Sequence, residues 1–157
     1  PHIYGDVQVN NEEDVKRNWE KIKLKEGNKS VLGGVPKSLP ALVKATRIQD
    51  KAAGVGFDWD NIDDVFEKIK EEIDELHAEV KAQKQSNIES EFGDVLFSLI
   101  NYARFLKVNP EDALERTNRK FIARFQYLEE KATAQGKSLK DMTLQEMETY
   151  WQEAKNL

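Results

Sequence analysis

Residues 61–84, NIDDVFEKIKEEIDELHAEVKAQK, and residues 87–107, NIESEFGDVLFSLINYARFLK, decide the fold. In the first stretch Ile62, Val65, Phe66, Ile69, Ile73, Leu76 and Val80 recur at steps of three and four, which is the spacing of one face of an α-helix. Asp60 stands at the cap position of a helix running from 61 to about 84. Ser86 with Glu89 forms a capping-box pattern ahead of a second helix over 87–107. That second helix is apolar nearly all round, through Phe92, Val95, Leu96, Phe97, Leu99 and Ile100. Its polar residues Glu91, Asp94, Ser98 and Asn101 collect on one stripe, as expected of a buried helix that lines a site. Gly93 lies inside it. A mid-helix glycine costs about 1 kcal/mol relative to alanine, so its use marks a place where a neighbouring helix or a ligand comes close.

Outward from this pair, the same periodicity predicts helices over 11–25, 41–53, 110 to about 135 and 144–155. Gly54-Val55-Gly56 breaks the second of these, and Asn109-Pro110 opens the third, which Gly136 stops. Thr143 with Glu146 caps the last. Residues 27–40, GNKSVLGGVPKSLP, form a loop, and no segment alternates as a strand would. The fold class is therefore all-α, with a four-helix-bundle-like core and shorter flanking helices. A faint repeat relates Asn11 to Val15, Trp19 and Lys23 to Thr143 to Met147, Trp151 and Lys155. On this reading residues 1–25 are the tail helix of a preceding copy of the domain, 26–40 a linker and 41–157 the main domain. The start at Pro1 rather than Met agrees with it.

The chain has 157 residues, enough for one domain with a real core. Its net charge of −5, with both signs mixed along the chain, gives no basic footprint for a nucleic acid polymer. With no cysteine there is neither a disulfide nor a thiolate metal site. No apolar run approaches membrane-spanning length and no signal peptide is visible, which points to the cytoplasm.

The chemistry lies in two acidic clusters, Glu71-Glu72-Ile73-Asp74-Glu75 and Glu91-Phe92-Gly93-Asp94. Positions three apart share a helix face, so Glu72 pairs with Glu75 and Glu91 with Asp94. If the two helices pack antiparallel, four carboxylates meet across one seam. Such a seam is costly unless a cation neutralises it, and oxygen ligands favour a hard cation such as Mg²⁺. Glu71, Asp74 and Glu79 read singly as a solvated face. His77 reads as a rim residue and His2 as terminal. Lys120 and Arg124 make a cationic face beside the stripe Leu114, Phe121, Phe125 and Leu128. Standing alone they are ordinary surface bases; beside a cation site they become phosphate clamps. There is no Walker-type loop and no Ser/His or Cys/His nucleophile set.

The pattern EExxE followed by ExxD resembles the signature of the all-α nucleoside triphosphate pyrophosphohydrolases. The segments KAAGVGFDW (51–59), EFGDVLF (91–97) and TNRKFIARF (117–125), with Trp151, resemble the MazG family, particularly its second, C-terminal domain, over residues 40–155. The resemblance implies Mg²⁺, with Mn²⁺ as a substitute, held by Glu72, Glu75, Glu91 and Asp94. It implies Lys120 and Arg124 on the triphosphate, with Asn118 and Trp151 near the nucleotide. It leaves Glu71 to orient a water, bind a second ion or face solvent. The implied reaction is hydrolysis of nucleoside triphosphates to monophosphate and pyrophosphate with broad specificity, and the implied assembly is a homodimer. The alternatives are a non-catalytic helical interaction module and a narrower dUTP- or phosphoribosyl-ATP-type hydrolase.

Overall fold

A computed structural model describes residues 15–19 and 30–157. Residues 15–19 are helical; the rest of the expected 11–25 helix, and with it the proposed repeat, lies outside the described residues. After residue 40 come α1 (Ala41–Gly54), α2 (Ile62–Ala82), α3 (Gln85–Leu106), α4 (Pro110–Ala134), a 3₁₀ turn (Leu139–Asp141) and α5 (Leu144–Lys155). The all-α reading holds, with no strand among the described residues. None of these helices is long and apolar enough to cross a membrane. The chain divides into two compact units, ending and starting at Pro110 and Glu111, inside what the sequence presents as one domain.

The first unit is built on the α2–α3 hairpin. Asn61, one residue later than the Asp60 expected from sequence, caps α2. Its Oδ1 accepts the Asp64 N–H at 2.9 Å, while its Nδ2 donates to Asp64 Oδ2 at 2.9 Å. Asp63 and Asp64 in the first turn also complement the helix dipole. α2 ends where Gln83 adopts the left-handed conformation at φ 56°, so only Gln83 and Lys84 separate the helices. A connection that short forces the antiparallel pairing on which the acidic seam depends. It also starts α3 at Gln85, two residues before the sequence reading. The expected Ser86–Glu89 cap is therefore inside the helix, and Lys84 at the N-cap makes no side-chain cap.

Val65 and Ile69 of α2 are buried with Ile100 and Ala103 of α3, and Phe66 packs on Tyr102 with ring centroids 5.7 Å apart. α1 joins α3 through buried Gln49, whose Nε2 donates to the Phe97 carbonyl at 2.9 Å. Other apolar residues of α3 are left open among the described residues: Phe92 is 54% exposed, and Leu96, Phe97 and Leu99 are nearly as open. Gly93 faces open space, so no helix among the described residues is the close neighbour expected from sequence.

In the second unit Pro110, Glu111 and Asp112 make a favourable first turn for α4. Gly136 at φ 67° ends it, with Lys137 N–H returning to the Ala132 carbonyl at 3.0 Å. Thr143 and Glu146 form the capping box expected for α5. α4 and α5 meet through Phe121 and Trp151, with centroids 5.0 Å apart, and through Tyr127, whose hydroxyl donates to Glu153 Oε2 at 2.7 Å. Leu128, Ala132 and Met142 form the small buried core.

Candidate functional site

The hairpin brings one carboxylate of α2 to two of α3. Glu72, Glu91 and Asp94 each offer an oxygen, and these oxygens all lie within 4.8 Å of one another. Glu72 is only 7% exposed. One of its oxygens, Oε1, receives Lys68 Nζ at 2.8 Å, while Oε2 is buried with no hydrogen-bond partner. Glu91 Oε2 is likewise buried and unpaired. Burial, and then the nearby Glu75 and Asp94 carboxylates, push the Glu91 carboxyl above the usual glutamate range. Two orphaned oxygens on carboxylates of one acidic cluster are a costly arrangement that a bound cation would relieve. The donors are all oxygen, so the residues present fit a hard divalent cation rather than a soft one.

Glu75 lies outside this three-residue group and is exposed, yet its carboxylate is close enough to Glu91 to contribute to the upward shift. Glu71 is exposed and pairs with Lys68 at 3.5 Å. His77 is exposed, as its rim reading requires.

Lys68 was not singled out from sequence. The Glu72 side chain beside it raises its pKa, so it stays charged and pins one oxygen of Glu72 while the other is buried without a partner. The legible signal was a lysine four residues before a glutamate on one helix face.

Beside the cluster is a cavity of about 270 Å³. Glu72, Asp94 and Lys68 form one part of its lining, and Trp59, Val65, Phe97, Ser98 and Asn101 the rest. The polar stripe read on α3 is thus real for Asp94, Ser98 and Asn101, which share this wall. Trp59 was quoted in the sequence reading only for its family resemblance. The turn before α2 brings it here, where Asp58 Oδ1 accepts the Trp59 N–H at 2.9 Å. Behind the wall, Arg104 is clasped by Asp50 of α1 and Asp58 of the turn. Burial disfavours its charge, but the two carboxylates outweigh that and raise its pKa.

Lys120 and Arg124 belong to the second unit. They share one face of α4 and line a depression of about 370 Å³ with Tyr127 and the end of α5. Asn118 is exposed on the same helix, and the Trp151 ring leans on Phe121.

Residues 61–128, which span the acidic hairpin and most of α4, match the MazG nucleotide pyrophosphohydrolase domain. The chain is 40% identical over 158 residues to the nucleoside triphosphate pyrophosphohydrolase/pyrophosphatase MazG of Thermotoga maritima (strain ATCC 43589 / DSM 3109 / JCM 10099 / NBRC 100826 / MSB8), a match that takes in 99% of this chain and 59% of that protein. It is 39% identical over 161 residues to the nucleoside triphosphate pyrophosphohydrolase of Escherichia coli (strain K12), covering 99% of this chain and 61% of the relative. It is 51% identical over 159 residues to the protein YabN of Bacillus subtilis (strain 168), covering 99% of this chain and 32% of that protein. The chain thus spans about three fifths of the length of the first two relatives.

Proposed function

We propose that this chain, which matches the MazG nucleotide pyrophosphohydrolase domain over residues 61–128, hydrolyses nucleoside triphosphates to the monophosphate and pyrophosphate with Mg²⁺. The observation that carries the reading is the group of Glu72, Glu91 and Asp94, with oxygens within 4.8 Å and two buried carboxylate oxygens unpaired. These three residues would hold the cation, with Glu75 completing the set from beside Glu91. Bound there, the cation would supply charge neutralisation for the phosphates and a more acidic water.

The chain's own residues divide the remaining work. Lys68 keeps Glu72 in position by holding one of its oxygens. Lys120 and Arg124 bind the triphosphate and stabilise charge that develops on it, the guanidinium offering a planar fork to phosphate oxygens. Asn118 and Trp151 lie near the nucleotide in this proposal, and Glu71, exposed one position from Glu72, is the residue available to orient the attacking water. Mn²⁺ is expected to substitute for Mg²⁺, since both accept oxygen ligands.

The working form in this reading is a homodimer. Phe92, Leu96, Phe97 and Leu99 of α3 are exposed, and in this reading a second copy covers them. A cytoplasmic location goes with the nucleotide substrates. The test is incubation with each nucleoside triphosphate, with Mg²⁺ or with chelator, resolving pyrophosphate from orthophosphate. Monophosphate and pyrophosphate, formed only with the cation, are expected. Diphosphate and orthophosphate as main products would overturn the proposal.

A further inference from the structure

Arg104 makes a set of contacts that the proposed chemistry does not use. Its Nε donates to Asp50 Oδ1 at 3.2 Å; its Nη1 and Nη2 grip both oxygens of Asp58 at 3.3 and 3.1 Å. Nη1 also donates to Asn101 Oδ1 at 2.6 Å. One half-buried guanidinium thus ties together α1, the turn before α2 and a residue of the cavity wall. The contact with Asn101 fixes which way the amide faces. With Oδ1 engaged by Arg104, the remaining hydrogen-bonding capacity of Asn101 is its pair of N–H donors. The grip on Asp58 reaches another lining residue, because Asp58 Oδ1 also accepts the backbone N–H of Trp59.

The cavity therefore carries two kinds of lining: the carboxylate residues Glu72 and Asp94, and the aromatic and amide residues Trp59, Phe97 and Asn101. Asp94 and Asn101 are seven positions apart on α3, roughly 10 Å along the axis, which is the scale of a nucleotide from its phosphates to its base. An aromatic face beside a fixed donor suits a planar heterocycle that carries acceptors on its edge.

We propose that Arg104 is a positioning residue for nucleobase recognition: it orients the Asn101 amide as a donor and holds the Asp58–Trp59 turn against the cavity that runs from the carboxylate cluster. The inference rests on the nucleotide reading above. Its test separates the two by following binding as well as turnover. Protein labelled with 5-fluorotryptophan gives a resonance for Trp59, assigned with Trp59→Phe, that is titrated with a nucleoside monophosphate and with ribose 5-phosphate. The base-bearing ligand is expected to shift this resonance and the base-free one to leave it in place.

Arg104→Lys keeps the charge but loses the fork. It should move the Trp59 resonance of the free protein and weaken nucleotide binding about three- to tenfold, the effect of one misplaced hydrogen bond. Asn101→Asp keeps a partner for Arg104 while replacing the donor by an acceptor, so it should lose base binding although the clasp is intact. A merely structural Arg104 predicts the opposite, with Asn101→Asp harmless. In steady state both variants should raise KM for nucleoside triphosphates more than they lower kcat, and should cost less on ribose 5-triphosphate, which carries no base, than on nucleoside triphosphates. No Trp59 shift with nucleotide, or equal losses on base-bearing and base-free ligands, would overturn the inference. A wild-type protein that binds the monophosphate through Trp59 but cleaves no triphosphate would instead break the reaction assignment and leave this one standing.

Discussion

Glu91 in the α2–α3 hairpin and Glu146 at the start of α5 are held in opposite ways. Burial, with Glu75 and Asp94 nearby, raises the Glu91 carboxyl, and one of its oxygens has no partner. Glu146 is lowered, first by its hydrogen bond with the Thr143 backbone and then, against a small opposing burial, by Lys137 and the Thr143 side chain. The hairpin keeps charges close, partly dry and unsatisfied while leaving phenylalanines and leucines of α3 open. In the α4–α5 unit Glu146 and Glu153 find local partners, and a small core of Leu128, Ala132 and Met142 is buried. Where a sequence tolerates unsatisfied ionised groups, the arrangement is kept for what it binds; where a carboxylate such as Glu146 is capped and paired, it is kept for stability.

The contrast is broken most directly at Asp94. Asp94→Asn preserves shape and removes one charge from the cluster, so cation-dependent hydrolysis should fall by at least about a hundredfold, since even the outer partners of metal ligands are worth 10–100-fold. Helical content by circular dichroism should be unchanged. Near-normal turnover would remove the hairpin from the chemistry.

Next in size are Lys120→Ala and Arg124→Ala. Each should lower kcat/KM by about ten- to a hundredfold, through loss of a charge-assisted phosphate contact, while calorimetry still shows Mg²⁺ binding to the nucleotide-free protein. If neither variant changes kcat/KM, these residues are exposed bases with little effect and the α4–α5 unit is structural throughout.

A purely structural probe is Thr143→Ala, which removes the cap of α5. It should destabilise the protein by about 1 kcal/mol in denaturant unfolding, with cation binding unaltered. A changed Mg²⁺ affinity would show that the two units are not as separate in function as their chemistry suggests.

The smallest effect is the pH dependence of the cation-free protein. Because the folded Glu91 carboxyl titrates above its unfolded value, the native state holds the extra proton in the window between the two. In that window stability rises as pH falls and is lost as pH rises through the folded value. Cation binding expels that proton, so the Mg²⁺-induced rise in Tm should grow with pH through the same window. Glu91→Gln should abolish the dependence; its persistence would place the titrating group elsewhere.

Helix existence was legible because Val65, Ile69 and their neighbours repeat at helical spacing, and α5 was read to the residue because Thr143 and Glu146 cap it within a few positions. The α2–α3 boundary was not, because Gln83 takes a left-handed conformation without glycine to announce it. Glu72, Glu91 and Asp94 could be found from i,i+3 spacing on two helices. The clasp on Arg104 could not, since its partners Asp50 and Asp58 lie 54 and 46 positions away and leave no local pattern. Periodicity also names an apolar face without saying what covers it, which is why Phe92 and Gly93, read as interior, are open here.

The two-residue link at Gln83 and Lys84 has a consequence in time as well as in space. Glu72 and Glu91 are only nineteen positions apart, so closing the chain between them loses little entropy, and the contacts that assemble the acidic cluster are among the most local in the molecule. Local contacts form early. During synthesis the hairpin is complete once residue 106 has emerged, before α4 exists, so the nascent chain is expected to acquire its affinity for a divalent ion ahead of the basic residues that would give that ion a substrate.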